Sequence, residues 1–144
     1  MKRHATATWK GALADGTGAI DTQSGALSAT AYSFRSRFED EEGRAGTNPE
    51  ELLAAAHAGC FAMQLSHLLA ENGTPAERLQ ATATVAVERD DGGFSLRSSM
   101  LDLSARVPGI DESAFNELAA KAKDGCPVSR ALGAISISLN AKLQ

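Results

Sequence analysis

Aromatic side chains are scarce in this chain: one Trp, one Tyr and five Phe among 144 residues. Ala, Gly, Ser and Thr are abundant instead, and such small residues make thin layers that bury modest apolar area per residue. That favours an oligomer over a lone chain. Basic tracts are absent. A net charge of −4 and a pI near 5.3 argue against nucleic acid as a partner. The first residues, Met1-Lys2-Arg3-His4-Ala5-Thr6, hold no apolar signal core, so the expected address is the cytoplasm. Cysteine is limited to Cys60 and Cys126, with no short-spaced Cys or His pair beside either. That pattern excludes a disulfide scaffold and a structural zinc site, and leaves two thiols that are free, catalytic or redox-sensing. Repeats, low-complexity tracts and linkers are also missing, so residues 1–144 read as one domain.

What is present is organised around residues 47–73. Asn48 suits a helix N-cap, Pro49 the first helical position, and Glu50 and Glu51 the positive end of the helix dipole. Asn72-Gly73, with Pro75 beyond, reads as a stop. Residues 52–70 contain no Asp, Glu, Lys or Arg, which predicts a helix buried on all sides. His57, Gln64, Ser66 and His67 interrupt the run and much of the rest is Ala. It therefore reads as the central helix of a soluble domain rather than a membrane span.

Strands are expected at residues 5–12, 19–22 and 27–34, followed by a charged, Gly-punctuated loop at residues 35–46. After the central helix, Ala81, Ala83, Val85 and Val87 alternate with polar residues as one strand. Asp90-Asp91-Gly92-Gly93 makes a hairpin, and residues 94–107 return as a second strand whose phase breaks near Met100-Leu101, suggesting a bulge. Asp111 caps an amphipathic helix reaching about Lys123, with Ala114, Phe115, Leu118, Ala119 and Ala122 on its apolar face. Cys126-Pro127 opens a short helix closed by Gly133, and Ile135, Ile137, Leu139 and Ala141 alternate in a last strand. This order predicts an α+β fold with antiparallel-rich sheets rather than an alternating parallel one.

The two cysteines differ in setting. In Gly125-Cys126-Pro127 the thiol lies at a helix cap, where free N–H groups and the dipole favour a thiolate. Cys60, inside an apolar rod, is expected to have a raised pKa, and a packed core thiol is the plainer reading of it taken alone. Sequence spacing does not set the distance between them.

Four stretches together resemble the OsmC/Ohr family of osmotically inducible proteins and organic hydroperoxide reductases. They are Tyr32-Ser33-Phe34-Arg35-Ser36-Arg37-Phe38-Glu39, residues 46–63 running from Gly46-Thr47-Asn48-Pro49 through Cys60, Val107-Pro108-Gly109-Ile110-Asp111, and residues 121–129 around Gly125-Cys126-Pro127. The resemblance spans nearly the whole chain. It implies an OsmC-like fold in an intertwined homodimer, with active sites at the subunit boundary. It also implies a thiol peroxidase without metal or flavin that reduces organic hydroperoxides, and hydrogen peroxide less well, in oxidative or osmotic stress defence. An external dithiol, such as a lipoyl group, would regenerate it. By resemblance Cys60 matches the peroxidatic cysteine and Cys126 the resolving cysteine that closes a disulfide with it. Arg37 matches the arginine of the OsmC branch that holds the thiolate, and Glu50 the glutamate that positions the arginine. The Ohr branch carries its arginine near the N-terminus, where this chain has only Arg3 before Arg35. The segment between Arg37 and Asn48 is longer than the family's usual one, so Arg35 and Arg44 stay open as alternatives.

The chemistry agrees with these residue types. A thiolate attacks peroxide, a guanidinium keeps its charge at any relevant pH, and a buried arginine needs a carboxylate. Ten residues of helix span about 15 Å, so Glu50 and Cys60 do not both touch one small site unless a long arginine or a second chain fills the gap. Two rival readings remain. His57, Cys60 and His67 share one helix face, but three ligands spread over almost three turns fit one metal ion poorly, and packed, hydrogen-bonded histidines are the simpler account. A non-enzymatic redox sensor or apolar-ligand carrier would use the same thiols, and turnover separates it from a peroxidase.

Overall fold

The computed structural model describes Met1–Gln144 throughout. The chain divides into two compact units, Met1–Leu52 and Leu53–Gln144. In the first, β1 (Ala5–Lys10), β2 (Thr17–Thr22) and β3 (Thr30–Ser33) form an antiparallel sheet in that order. Gly18 on β2 faces Tyr32 on β3 so closely that a Cβ would fall within the Tyr32 ring. Trp9 packs on the same ring, with centroids 5.3 Å apart.

The first unit corrects the expected loop at residues 35–46. Phe34–Phe38 is a short helix, α1. Ser33 is its N-cap: the Ser33 hydroxyl accepts from the Ser36 N–H and the Ser36 hydroxyl accepts from the Ser33 N–H. This is a capping box with serine in place of the usual Glu or Gln, so its sequence signature is weak. Phe34 and Phe38, one turn apart, stack with centroids 5.0 Å apart and reinforce the turn.

Helix α2 (Pro49–Glu71) begins in the first unit and continues into the second. Asn48 caps it as expected, its Oδ1 accepting from the Glu51 N–H at 2.8 Å. At the other end the Thr74 N–H reaches back to the Leu69 carbonyl, and Gly73 at φ +77° makes the left-handed turn this requires.

In the second unit, β4 (Arg78–Asp90) pairs antiparallel with β5 (Gly93–Arg106), and β5 pairs parallel with β6 (Ser136–Leu143). The parallel pair requires a crossover, supplied by α3 (Glu112–Gly125) and α4 (Pro127–Ala131). The fold is α+β with mostly antiparallel pairing, as the sequence implied. The bulge lies earlier than expected. Ala86 pairs with Ser98 and Val87 with Leu96, leaving Arg97 as the extra residue. Arg97 turns to Asp90, with Nη2 2.7 Å from Oδ2, so an exposed ion pair accompanies the irregularity. Beyond it Ser99, Leu101, Leu103 and Ala105 alternate inward without a break.

The core of this unit joins Phe61, Leu65, Leu68 and Leu69 of α2, Leu101, Leu103 and Ala105 of β5, and Phe115, Ala119 and Ala122 of α3. One sheet and one helix cover only part of α2. The expectation of burial on all sides is therefore corrected for a single chain: Ala55, Ala56, Gly59, Ser66 and Ala70 are exposed, and Met63 is 76% exposed. This helix is long and apolar enough to cross a membrane by length and composition, yet it carries the buried core just described.

Candidate active site

Within the first unit, α1 and the first turn of α2 bring Arg37 and Glu50 together. Arg37 Nη2 donates to Glu50 Oε1 at 2.7 Å and Nε donates to Oε2 at 3.1 Å, a two-point clamp. The Glu50 side chain is 11% exposed and that of Arg37 34%, so the pair is partly desolvated. The guanidinium also lies 4.8 Å over the Phe38 ring. Helix α1 separates the rival arginines. Two residues along a helix differ by about 200°, so Arg35 and Arg37 diverge instead of sharing a side as an extended segment would require. Arg35 and Arg37 are both exposed residues, but Arg35 makes no ion pair, and Arg44 reaches only Glu42 at 3.8 Å, both side chains almost fully in solvent.

Beside Arg37 is an apolar cavity of about 250 Å³, lined by Trp9, Tyr32, Phe34, Phe38 and Pro49 among others. The chain's single Trp and single Tyr thus serve one pocket. Sequence reasoning had placed these aromatics on strands without seeing that they converge.

The second unit brings Cys60 of α2 to Cys126 at the junction of α3 and α4. The two thiols are hydrogen-bonded to each other. Cys126 ends α3, donating its N–H to the Ala122 carbonyl, and is the N-cap of α4, with Pro127 following. Burial pushes the Cys60 thiol up, and the hydrogen bond with Cys126 raises it further; the Val128 backbone N–H opposes this. Burial also acts upward on Cys126. There the hydrogen bonds from Cys60, the Ser129 N–H and hydroxyl, and the Val128 N–H outweigh it, and the net shift is downward. Both directions agree with the sequence expectation; on Cys126 the hydrogen bond from Cys60 is the largest contribution to the lowering, and the N–H groups of the helix cap add to it. Taken by themselves, these groups make Cys126 the more acidic of the two thiols.

His57, one turn before Cys60, is fully buried. Its Nδ1 is 2.7 Å from the Ser99 hydroxyl and its Nε2 2.8 Å from the Ser129 hydroxyl. Burial lowers its pKa, so the ring rests neutral. Both ring nitrogens are engaged by hydroxyls. His67 is exposed, 3.5 Å from Glu71, so the two histidines share no ligand position. Sequence reasoning missed Ser99 and Ser129. Only the burial of an otherwise exposed residue type marks them, and that is visible in three dimensions alone.

The model of the OsmC-like protein family matches residues 40–140, which include Glu50, Cys60 and Cys126. Over 138 residues the chain is 44% identical to peroxiredoxin OsmC of Escherichia coli (strain K12), covering 96% of this chain and 94% of that protein.

The chain belongs to the OsmC-like family.

This OsmC-like protein is also 30% identical over 104 residues to the organic hydroperoxide resistance protein OhrB of Bacillus subtilis (strain 168), covering 71% and 74% of the two chains. The higher identity to OsmC agrees with the OsmC-branch resemblance. The crystal structure of B. subtilis OhrB superposes with a TM-score of 0.71 at 28% identity, covering 96% of this chain and 98% of that one. An organic hydroperoxide resistance protein OsmC from Legionella pneumophila gives 0.72 at 27% identity, covering 96% of each. The OsmC-like fold therefore extends over nearly all of the sequence.

Proposed function

We propose that this OsmC-like protein is a cysteine peroxidase that reduces organic hydroperoxides to alcohols, and hydrogen peroxide less well. The observation that carries the reading is the pair of thiols in direct contact, Cys60 on α2 and Cys126 at a helix cap. In the first step the Cys60 thiolate attacks the outer oxygen of the hydroperoxide. An S–O bond forms, the O–O bond breaks, and the alkoxide leaves to take a proton from solvent, giving the alcohol and a Cys60 sulfenic acid. Cys126 then attacks the Cys60 sulfur, the S–O bond breaks, and water leaves as the disulfide forms. An external dithiol, a lipoyl group being one candidate, reduces the disulfide.

Burial alone keeps Cys60 protonated, so the reading assigns Arg37 as the fixed cation that favours its thiolate and steadies the departing oxygen. The two-point clamp on Glu50 supports this choice, since it holds Arg37 alone of the three candidates. The aromatic cavity beside Arg37 suits a hydrocarbon tail better than water. The uncovered apolar side of α2, with Met63 at its centre, and about 15 Å of unbroken helix between Glu50 and Cys60 support a homodimer. Residues 1–144 act as one domain, in a reducing cytoplasm that keeps both thiols available.

Steady-state assays of cumene hydroperoxide and hydrogen peroxide, each with a monothiol and a dithiol, test the reading. Many turnovers, faster with the organic peroxide and with the dithiol, are expected. Cys60→Ser should abolish them and keep the fold. A single oxidation without turnover would instead mark a redox sensor, and turnover surviving in Cys60→Ser would move the chemistry elsewhere.

A further inference from the structure

The resolving step has a proton to place. If Cys60 attacks as the thiolate, the proton the two thiols share is left on Cys126, which must lose it to become a nucleophile. Cys126 is fully buried, so bulk water is not beside it. Besides Cys60, one polar side chain contacts its sulfur, the Ser129 hydroxyl. The hydroxyl's other partner is Nε2 of His57, at 2.8 Å. His57 is wholly buried, Ser99 likewise, and Ser129 is 6% exposed. The chain from Cys126 through Ser129 to His57 and Ser99 is continuous, and no buried polar side-chain atom in it lacks a partner.

We propose that Ser129 and His57 form a proton relay that deprotonates Cys126 for disulfide closure. The proposal rests on Cys126 being the resolving thiol. The relay uses the tautomer in which Nδ1–H donates to the Ser99 hydroxyl, 2.7 Å away, and Nε2 is the acceptor. While Cys126 is a thiol, the Ser129 O–H donates to Nε2 and its oxygen accepts from the Cys126 S–H; once Cys126 is a thiolate, the hydroxyl turns to donate to the sulfur. When Cys126 attacks, the Cys126 proton passes to the Ser129 oxygen as the Ser129 proton passes to Nε2. The hydroxyl then points back at the sulfur and His57 becomes imidazolium. The new S–S bond expels hydroxide from Cys60; the Ser129 O–H gives its proton to that hydroxide, making water, as the imidazolium Nε2–H refills the Ser129 oxygen. Atoms and charge balance: one sulfenic acid and one thiol become one disulfide and one water, and no outside reagent is consumed. Ser129 touches the reacting sulfur. His57 acts through it and is a positioning residue that holds the proton in transit. Burial disfavours the imidazolium, which supports a brief intermediate rather than a stable ion pair.

A histidine that served packing alone would hold the core together and leave the individual steps alone. Single-turnover stopped flow of the reduced full-length protein with cumene hydroperoxide separates the two. Sulfenic acid formation rises with peroxide concentration, disulfide closure does not, and trapping with dimedone followed by mass spectrometry assigns each phase. Ser129→Ala should slow closure by about a hundredfold, within the usual range for general acid–base assistance, and shift trapped product toward Cys60 sulfenic acid. Ser129→Thr, which keeps the hydroxyl, should recover most of that loss. In wild type, closure rates in mixed H₂O and D₂O should bow downward, as expected for two protons moving together. Closure at the wild-type rate in Ser129→Ala overturns the relay. So does a linear solvent dependence in wild type, a result that needs no variant to fold. A wild type that consumes peroxide without forming the Cys60–Cys126 disulfide overturns the assignment of Cys126 itself, and the relay with it.

Discussion

Arg37→Ala separates the structural from the chemical work of one side chain. In the folded protein Glu50 accepts two charge-assisted hydrogen bonds from Arg37, and the carboxylate is 11% exposed. Removing the partner of a fully buried charge costs about 3–5 kcal/mol. Here the guanidinium is a third exposed and water can reach the gap, so the loss of stability should be about 1–2 kcal/mol. For a chain of this size that is a fall in Tm of about 5 °C. The chemical loss should be larger. A fixed donor aimed at developing charge is worth about 3 kcal/mol, or about a hundredfold in rate. Iodoacetamide alkylation against pH, followed by mass spectrometry at Cys60, should show the Cys60 pKa moving up in Arg37→Ala. Stopped flow should show the peroxide-dependent phase slowed about a hundredfold. Arg37→Lys keeps a charge and loses the two-point clamp, and should fall between. Arg35→Ala and Arg44→Ala should stay near wild type, because Arg35 makes no ion pair and Arg44 makes only a solvent-exposed contact. If Arg37→Ala loses stability but keeps its rate and Cys60 pKa, the ion pair is structural and the assignment is wrong. A large loss in Arg35→Ala or Arg44→Ala would name a different arginine.

Cys126→Ser should consume about one equivalent of peroxide and accumulate Cys60 sulfenic and then sulfinic acid; mass spectrometry finding Cys60 unoxidised would reverse the two roles. Met63→Glu, on the exposed apolar side of α2, should shift sedimentation from twice the 15.0 kDa chain mass to the chain mass, whereas a wild type that is already monomeric at micromolar concentration would refute the dimer. His57 carries a pKa below its ordinary 6.5 in the native state. The unfolded chain therefore takes up a proton first as pH falls through that value, and the stability His57 confers is full above it and lost below it. Unfolding free energies from urea titrations should drop between pH 7 and pH 5, with a limiting slope of about 1.36 kcal/mol per pH unit, and less steeply in His57→Gln. Asp40 and Asp90, held below 3.8 by hydrogen bonds led by the Ala45 N–H and the Ser95 hydroxyl, contribute only at more acid pH and do not confuse the window. Equal slopes in both proteins would contradict a buried neutral histidine.

The sequence by itself determined whatever is written in neighbouring residues. Asn48 and Gly73 marked the ends of α2, Asp111 the start of α3, and strict alternation the strands β4 and β6. The helix-cap setting of Cys126 was legible for the same reason, since its N–H donors belong to the next three residues. Tertiary structure decided the pairings that span long stretches of chain. Ser99 lies 42 residues from His57 and Ser129 lies 72 away, and no period connects them. Periodicity could not part Arg37 from Arg35, and only the family resemblance favoured Arg37. They separated once Ser33 and Ser36 wound that segment into a helix and turned one arginine to Glu50. The aromatic cavity, the bulge at Arg97 and the uncovered side of α2 belong to the same class. Each depends on which surfaces meet, and composition reports only that apolar surface exists, not which of it a single chain can cover.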